Sequence, residues 1–206
     1  MVDKICDFIT NKIKKEMPEI DEERAEVINY GVHLLFGEIP KTFLFIIIAL
    51  VLGILKEFLL AMLIIMPYRA VSGGVHLKTH IGCITATSIF YCGTAYLSKI
   101  IVFEPIYLKY IMIFLVWIFG MIMVKLYAPA DTENVPILRK EDRKKKKVAS
   151  YIILTVSLVI SIFIKNSLIS NLIIFGMLMQ SIMISRLVYK ITKNKYGYEE
   201  YLKGNI

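Results

Sequence analysis

The sequence predicts an all-α integral membrane protein, six transmembrane helices behind an amphipathic N-terminal helix, and three observations carry that fold class. Apolar residues make up 57% of the 206-residue chain, at a mean hydropathy of +0.64, whereas soluble domains hold about 45–50%. They gather into uncharged runs over residues 42–55, 58–68, 81–98, 110–124, 148–164 and 166–185. Basic residues fall between the runs with a strong bias to one side, as cytoplasmic loops require.

Ahead of the runs, Ile5, Phe8, Ile9, Ile13, Met17 and Ile20 recur at helical spacing, with Lys4, Lys12, Lys14 and Lys15 between them. That pattern suits a helix lying in the membrane interface, or a docking surface for another amphipathic helix. A start so charged does not read as a cleavable signal peptide, and insertion is expected through an internal span. The whole of 1–206 is expected to be one membrane domain, with 1–38 as the interfacial region and 42–190 carrying the spans.

The last four runs approach the roughly 20 residues that cross about 30 Å of hydrocarbon. The first two are short and separated by Lys56-Glu57, so they form either one long span or a pair of short ones. Charge decides for the pair. With six passes, 21 of the 25 Lys and Arg residues lie on the cytoplasmic side, and Lys56, Lys99, Lys109 and Lys165 on the other. One pass fewer puts the basic run Arg139–Lys147 and the N-terminal tail on opposite sides. The run itself reads as a solvated, orienting loop. The net charge of +8 follows from membrane orientation and calls for no nucleic-acid partner. Three cysteines, Cys6, Cys83 and Cys92, form no disulfide framework and are expected as free thiols.

The chemistry-bearing stretch is RAVSGGVHLKTHIGC, Arg69 to Cys83, at the cytoplasmic mouth of the third span. A thiol becomes an effective nucleophile when an imidazole takes its proton or steadies the thiolate. Two imidazoles compete. On a continuous helix His76 lies about 10.5 Å from Cys83 along the axis, so the chain must bend at Gly73-Gly74 or Gly82 if His76 is the base. His80, one turn from Cys83, reaches it on an unbroken helix. Two other readings stand beside the thiol pair. His76, His80 and Cys83 at i, i+4 and i+7 would suit a metal, although no fourth ligand is evident. Cys83 would otherwise be a small buried apolar residue. Polar groups at membrane depth usually have a task, which favours chemistry. Cys6 and Cys92 lack such surroundings and read as structural. Arg69 suits either a substrate carboxylate or a positive-inside anchor.

These residues, R69-x-x-S-G-G-x-H76-x6-C83, followed one span later by KLYAPADTENVPI from Lys125 to Ile137, resemble the accessory gene regulator B family of quorum-sensing peptidases. The likeness runs along nearly the whole chain in length, basic loop and hydrophobic pattern. It implies a bacterial cell-membrane cysteine endopeptidase that removes the C-terminal tail of a small amphipathic precursor peptide, with both termini and the active site facing the cytoplasm. The family's histidine and cysteine fall on His76 and Cys83, which selects His76 over His80, and its arginine and glycine on Arg69 and Gly74. In the second motif Pro129 and Pro136 stiffen the loop, while Asp131, Glu133 and Asn134 are candidates to orient the imidazole. The expected product is a thiolactone or lactone formed through an acyl-enzyme thioester. No metal or other cofactor is expected. The expected partners are the precursor peptide, the bilayer and, for a groove between subunits, a second copy. Two other function classes remain open, a small transporter and a metal-dependent membrane enzyme.

Overall fold

In the computed structural model, residues 2–17, 28–29, 31–32, 42–75, 77, 80–133 and 136–204 are described. Those residues are mostly helical and include no strand, and Gly73 and Ala130 form an isolated β-bridge. Contacts divide the chain into two units, Met1–Gly53 and Ile54–Ile206. The first holds α1 (Val2–Glu16), with Lys14 and Lys15 in its last turn, and α2 (Thr42–Val51). Thr10 Oγ1 lies 3.1 Å from Asn29 Oδ1, to which it donates.

The second unit is a helical bundle of α3 (Leu55–Ser72), α4 (His80–Ile100), α5 (Tyr107–Tyr127), α6 (Lys140–Phe163) and α7 (Ser167–Met183), followed by short α8 (Arg186–Ile191) and α9 (Gly197–Leu202). Two boundaries differ from the sequence reading. The break between the first two apolar runs falls at 52–54, where Gly53 takes φ +67°, so Lys56-Glu57 opens α3 instead of separating the runs. There Glu57 suits the positive end of the helix dipole. The basic run Arg139–Lys147, expected as a loop, forms the first turns of α6, begun by Glu141 and Asp142.

Helix α7 is apolar nearly all round, and it packs against α3, α4, α5 and α6 at once. Its Gly176 lets it approach α3 so closely that a Cβ there would stand 2.7 Å from Ile65 Cγ1. The outer helices turn apolar side chains outward. Phe114, Leu115 and Ile122 of α5 are exposed, as are Ile152, Val156 and Phe163 of α6. Among the described residues, α5 and α6 are long and apolar enough to cross a bilayer, with only 28% and 22% of their apolar windows buried. Such an apolar exterior around a packed interior agrees with a membrane protein.

Polar side chains stitch the bundle internally, as they must where the surroundings supply no partners. Trp117 Nε1 donates to Thr155 Oγ1 at 3.1 Å, joining α5 to α6. Ser170 Oγ donates to Ser161 O at 3.0 Å, joining α7 to α6. The loops gather into two groups. At one end, Asn171 Nδ2 donates to Ser98 O and Ile101 O, Lys109 Nζ donates to Ile164 O, and Lys99 faces Glu57 at 3.6 Å. At the other, the exits of α3, α5 and α7 meet through the Gly73–Ala130 bridge and the bond from Tyr189 Oη to Ala130 O.

The α3–α7 approach gives the first testable outcome. Gly176→Ala overpacks the contact and is expected to destabilise the protein by about 1–3 kcal/mol, read as a lowered melting temperature in detergent. Adding Ile65→Ala removes the clashing atoms, and the double variant should regain part of the loss.

Candidate functional site

The glycine pair decides where α3 stops. Gly73 caps the helix at φ +77° and Gly74 follows at φ +138°, both in the region where side chains are strained. The turn is also sterically reserved. A Cβ on Gly73 would collide with the Ala130 carbonyl, and one on Gly74 would sit 2.9 Å from Arg69 Nη1. The backbone then pairs across: Gly74 N–H donates to Ala130 O at 2.8 Å, and Ala130 N–H to Ser72 O at 2.8 Å. Residues 72–75 are therefore a short strap laid along the exit of α5.

Arg69, in the last turn of α3, curls over this strap. Its Nη2 donates to Val75 O at 3.1 Å and its Nη1 to Gln180 Oε1 at 3.3 Å, while the guanidinium lies 5.9 Å from the centre of the Phe90 ring on α4. Gln180, fully buried on α7, returns both amide hydrogens to the strap: Nε2 donates to Ser72 Oγ at 2.9 Å and to Gly73 O at 2.8 Å. Arg69 and Gly74, chosen on resemblance, thus form one packed unit. Gln180 escaped the sequence reading altogether, and its only signal there was a lone amide in an apolar run.

Cys83 stands in the first turn of α4 and is half-buried, a free thiol. Phe90 is seven residues on, so Cys83 shares the helix face that meets Arg69, displaced about 10 Å toward the strap end. His80 opens α4, and its side chain lies outside the described residues. His76 also lies outside the described residues, as does Asn134. What is described around His76 is the strap up to Val75 and the start of α4 at His80. The chain leaves its helix at Gly73-Gly74, whereas Gly82 lies within α4. Cys92 is buried in α4. Among the described residues no cluster of His, Cys, Asp and Glu could hold a metal.

Asp131 anchors the second loop. Its Oδ2 accepts from Arg143 Nη1 at 2.8 Å, from Ile137 N at 2.8 Å and from Tyr198 N at 3.1 Å. Among the described residues its buried Oδ1 has no hydrogen-bond partner. Arg143 also donates to Pro129 O and Ile137 O and stacks 4.3 Å over the Tyr198 ring. The carboxylate thereby holds the loop after α5 to α6 and to the C-terminal helix. Tyr189 Oη donates to Ala130 O at 2.9 Å and Asp131 O at 3.1 Å. Burial first, then Tyr196 and Asp131 beside it, push its phenol well above the usual range, so it stays a donor. Gly197 packs so tightly on Thr132 that a Cβ would strike the Thr132 carbonyl. A cavity of about 300 Å³ opens between strap and loop, bordered by Arg69, Gly74, Asp131 and Lys146.

Asp131→Ala leaves Arg143 without its carboxylate and two backbone amides without an acceptor. The expected cost is about 3 kcal/mol, seen as a lower melting temperature together with faster amide hydrogen exchange over residues 186–204.

Residues 6–184 match the family described as Accessory gene regulator B. The chain is 30% identical over 190 residues to the "Putative AgrB-like protein" of Listeria innocua, covering 92% of this chain and 91% of that one. It is 29% identical over 164 residues to "Putative AgrB-like protein 2" of Clostridium perfringens, covering 79% and 76%. A Listeria monocytogenes relative of the same description is 29% identical over 196 residues, covering 92% and 91%. No solved structure matches the chain. A family match over most of the chain, together with relatives alike along nearly their full length, shows that this protein belongs to the Accessory gene regulator B family.

Proposed function

We propose that the chain is a membrane-embedded cysteine endopeptidase that trims a small amphipathic precursor peptide and promotes its cyclisation to a quorum-sensing signal. The observation that carries the reading is the break between α3 and α4. The helix ends at Ser72, a clamped strap leads up to His76, and α4 begins at His80 with Cys83 in its first turn. Spacing required such a break for His76 to serve Cys83, and family membership gives the pair a reason to meet.

In this mechanism the Cys83 thiolate attacks a peptide carbonyl of the precursor. The tetrahedral adduct collapses, the C–N bond breaks, and the departing amine takes a proton from the His76 imidazolium. The N-terminal part of the precursor stays on Cys83 as a thioester. A Cys or Ser side chain within that peptide then attacks the thioester, its proton passing to His76, and closes a thiolactone or lactone as Cys83 leaves as the thiolate, which restores the starting pair. Exchange of one thioester for another needs no ATP, provided water is kept out. Burial among apolar helices favours that exclusion.

The topology belongs to the same proposal. Six passes, with α1 in the interface, put the strap, the Asp131 loop and the C-terminal helices at the cytoplasmic face, where a ribosomally made peptide arrives. The basic residues at that end, from Arg69 and Lys125 through Lys144–Lys147 to Arg186 and Lys190, support the orientation. A groove between two copies would suit a helical precursor.

With purified protein and a synthetic precursor, Cys83→Ala and His76→Ala should each abolish release of the C-terminal fragment, followed by mass spectrometry. A chelator should leave the rate unchanged, and His80→Ala should retain near-normal cleavage. Cleavage that survives Cys83→Ala, or is lost to chelator, would sink the thiol mechanism. For the topology, single cysteines at positions 56 and 165 should react with an impermeant maleimide in intact cells, whereas one at 146 should react only after lysis.

A further inference from the structure

Gln180 is a primary amide buried to zero exposure in the last turns of a predominantly apolar helix. Such a group is costly unless its hydrogen-bonding capacity is met, and all of it is spent on one target. Both amide hydrogens go to the strap, at Ser72 Oγ and Gly73 O, and the amide oxygen takes a hydrogen from Arg69, whose other nitrogen holds Val75 O. With Gly74 N–H on Ala130 O, the strap is pinned from α7, α3 and the loop after α5, up to the residue that immediately precedes His76.

The bonds are not needed to join α7 to α3. That contact is already made one residue away, where Tyr68 Oη lies 3.1 Å from Ser181 Oγ, and again at Gly176 against Ile65. Gln180 therefore does more than join the two helices, and its bonds, together with those of Arg69, hold the strap as far as Val75. Resting on the proposed His76–Cys83 pair, we infer that Gln180 is a positioning residue that acts through Arg69 and the 72–75 strap to set the reach of His76 toward Cys83. The glycine at 74 belongs to the same device, since a Cβ there would lie 2.9 Å from Arg69 Nη1 and 3.8 Å from Gln180 Nε2.

The test uses the full chain with Cys6 and Cys92 replaced by serine, leaving Cys83 as its single thiol. Gln180→Met keeps the length and packing of the side chain and removes its hydrogen bonds. Expected is a fall in kcat of about 100-fold, the scale of an ångström-sized misplacement, with KM changed less than about threefold. The pH profile of Cys83 alkylation by iodoacetamide should move onto that of His76→Ala, while the melting temperature stays within a few degrees of the parent. A structural role alone would lower the melting temperature and leave the alkylation profile in place, and that result overturns the inference. Should Gln180→Met fail to accumulate, Gln180→Asn keeps the amide but shortens its reach, and an unshifted alkylation profile there overturns the inference equally. The His76→Ala control separates the two levels. If it leaves cleavage and alkylation intact, the thiol pair itself falls. If it abolishes cleavage and shifts the profile while Gln180→Met does neither, only the positioning inference falls.

Discussion

Every polar group buried in the bundle has to find its partner inside the protein. The outer faces of α5 and α6 are apolar and α7 is enclosed by four other helices. An amide or hydroxyl left unpaired in such a place costs several kcal/mol, so a buried amide whose partners lie on another element acts as a fixed connector. Asn171 ties α7 to the end of α4, and Gln180 ties the opposite end of α7 to the end of α3. The central helix thus carries one amide near each terminus, and each one captures backbone carbonyls where a neighbouring helix stops. Helix ends are where carbonyls lack intrahelical partners, so the amides sit where they are most needed.

The two ends are built for different tasks. At the end holding residues 101–106 and 164–166 the connections are few: the Asn171 bonds, the Lys109 bond to Ile164 O and the Glu57–Lys99 pair. The strap end is denser, because three separate stretches converge there. The strap, the Asp131 loop and the C-terminal helices are joined by backbone pairing at Ala130, by the Asp131–Arg143 ion pair and by the Tyr189 hydroxyl. The stack of Tyr189 on Tyr196, 4.0 Å between ring centres, closes the same knot. A loop carrying the proposed chemistry would gain from a rigid scaffold behind it, and this knot would supply one.

The all-α class and the location of the long helices were legible because hydropathy records them directly. The runs at 81–98, 110–124 and 166–185 lie within, or within two residues of, α4, α5 and α7. Helix ends were less legible. The basic run looked like a loop because charge was read as solvation, yet lysine is a good helix former, and Glu141 with Asp142 starts the helix. In the site, Arg69 and Gly74 could be named from the resemblance, but their mutual contact could not, since it depends on a positive φ and on close approach. Gln180 was out of reach because its partners lie 107 and 108 residues away. Asp131 was named for its chemistry, whereas its described bonds are those of a loop anchor, a difference set by Arg143 and Tyr198 on other elements.

The choice between the two histidines gains a physical dimension from this architecture. His80 rides on α4, the same helix as Cys83, so its distance from the thiol is a property of one helix and owes nothing to the rest of the fold. His76 stands beyond a strap whose course is set by α3, α7 and the loop after α5 together. If the proton carrier were His80, the glycine pair, the Arg69 fork and the buried Gln180 amide would hold a segment with no bearing on the chemistry. With His76 in that role, each acquires a purpose, since a base on a free loop would sample many distances from the thiol, and the clamp narrows them at its root. The proposed pair would then depend on tertiary structure, and sensitivity of cleavage to residues far along the chain would separate it from the local alternative.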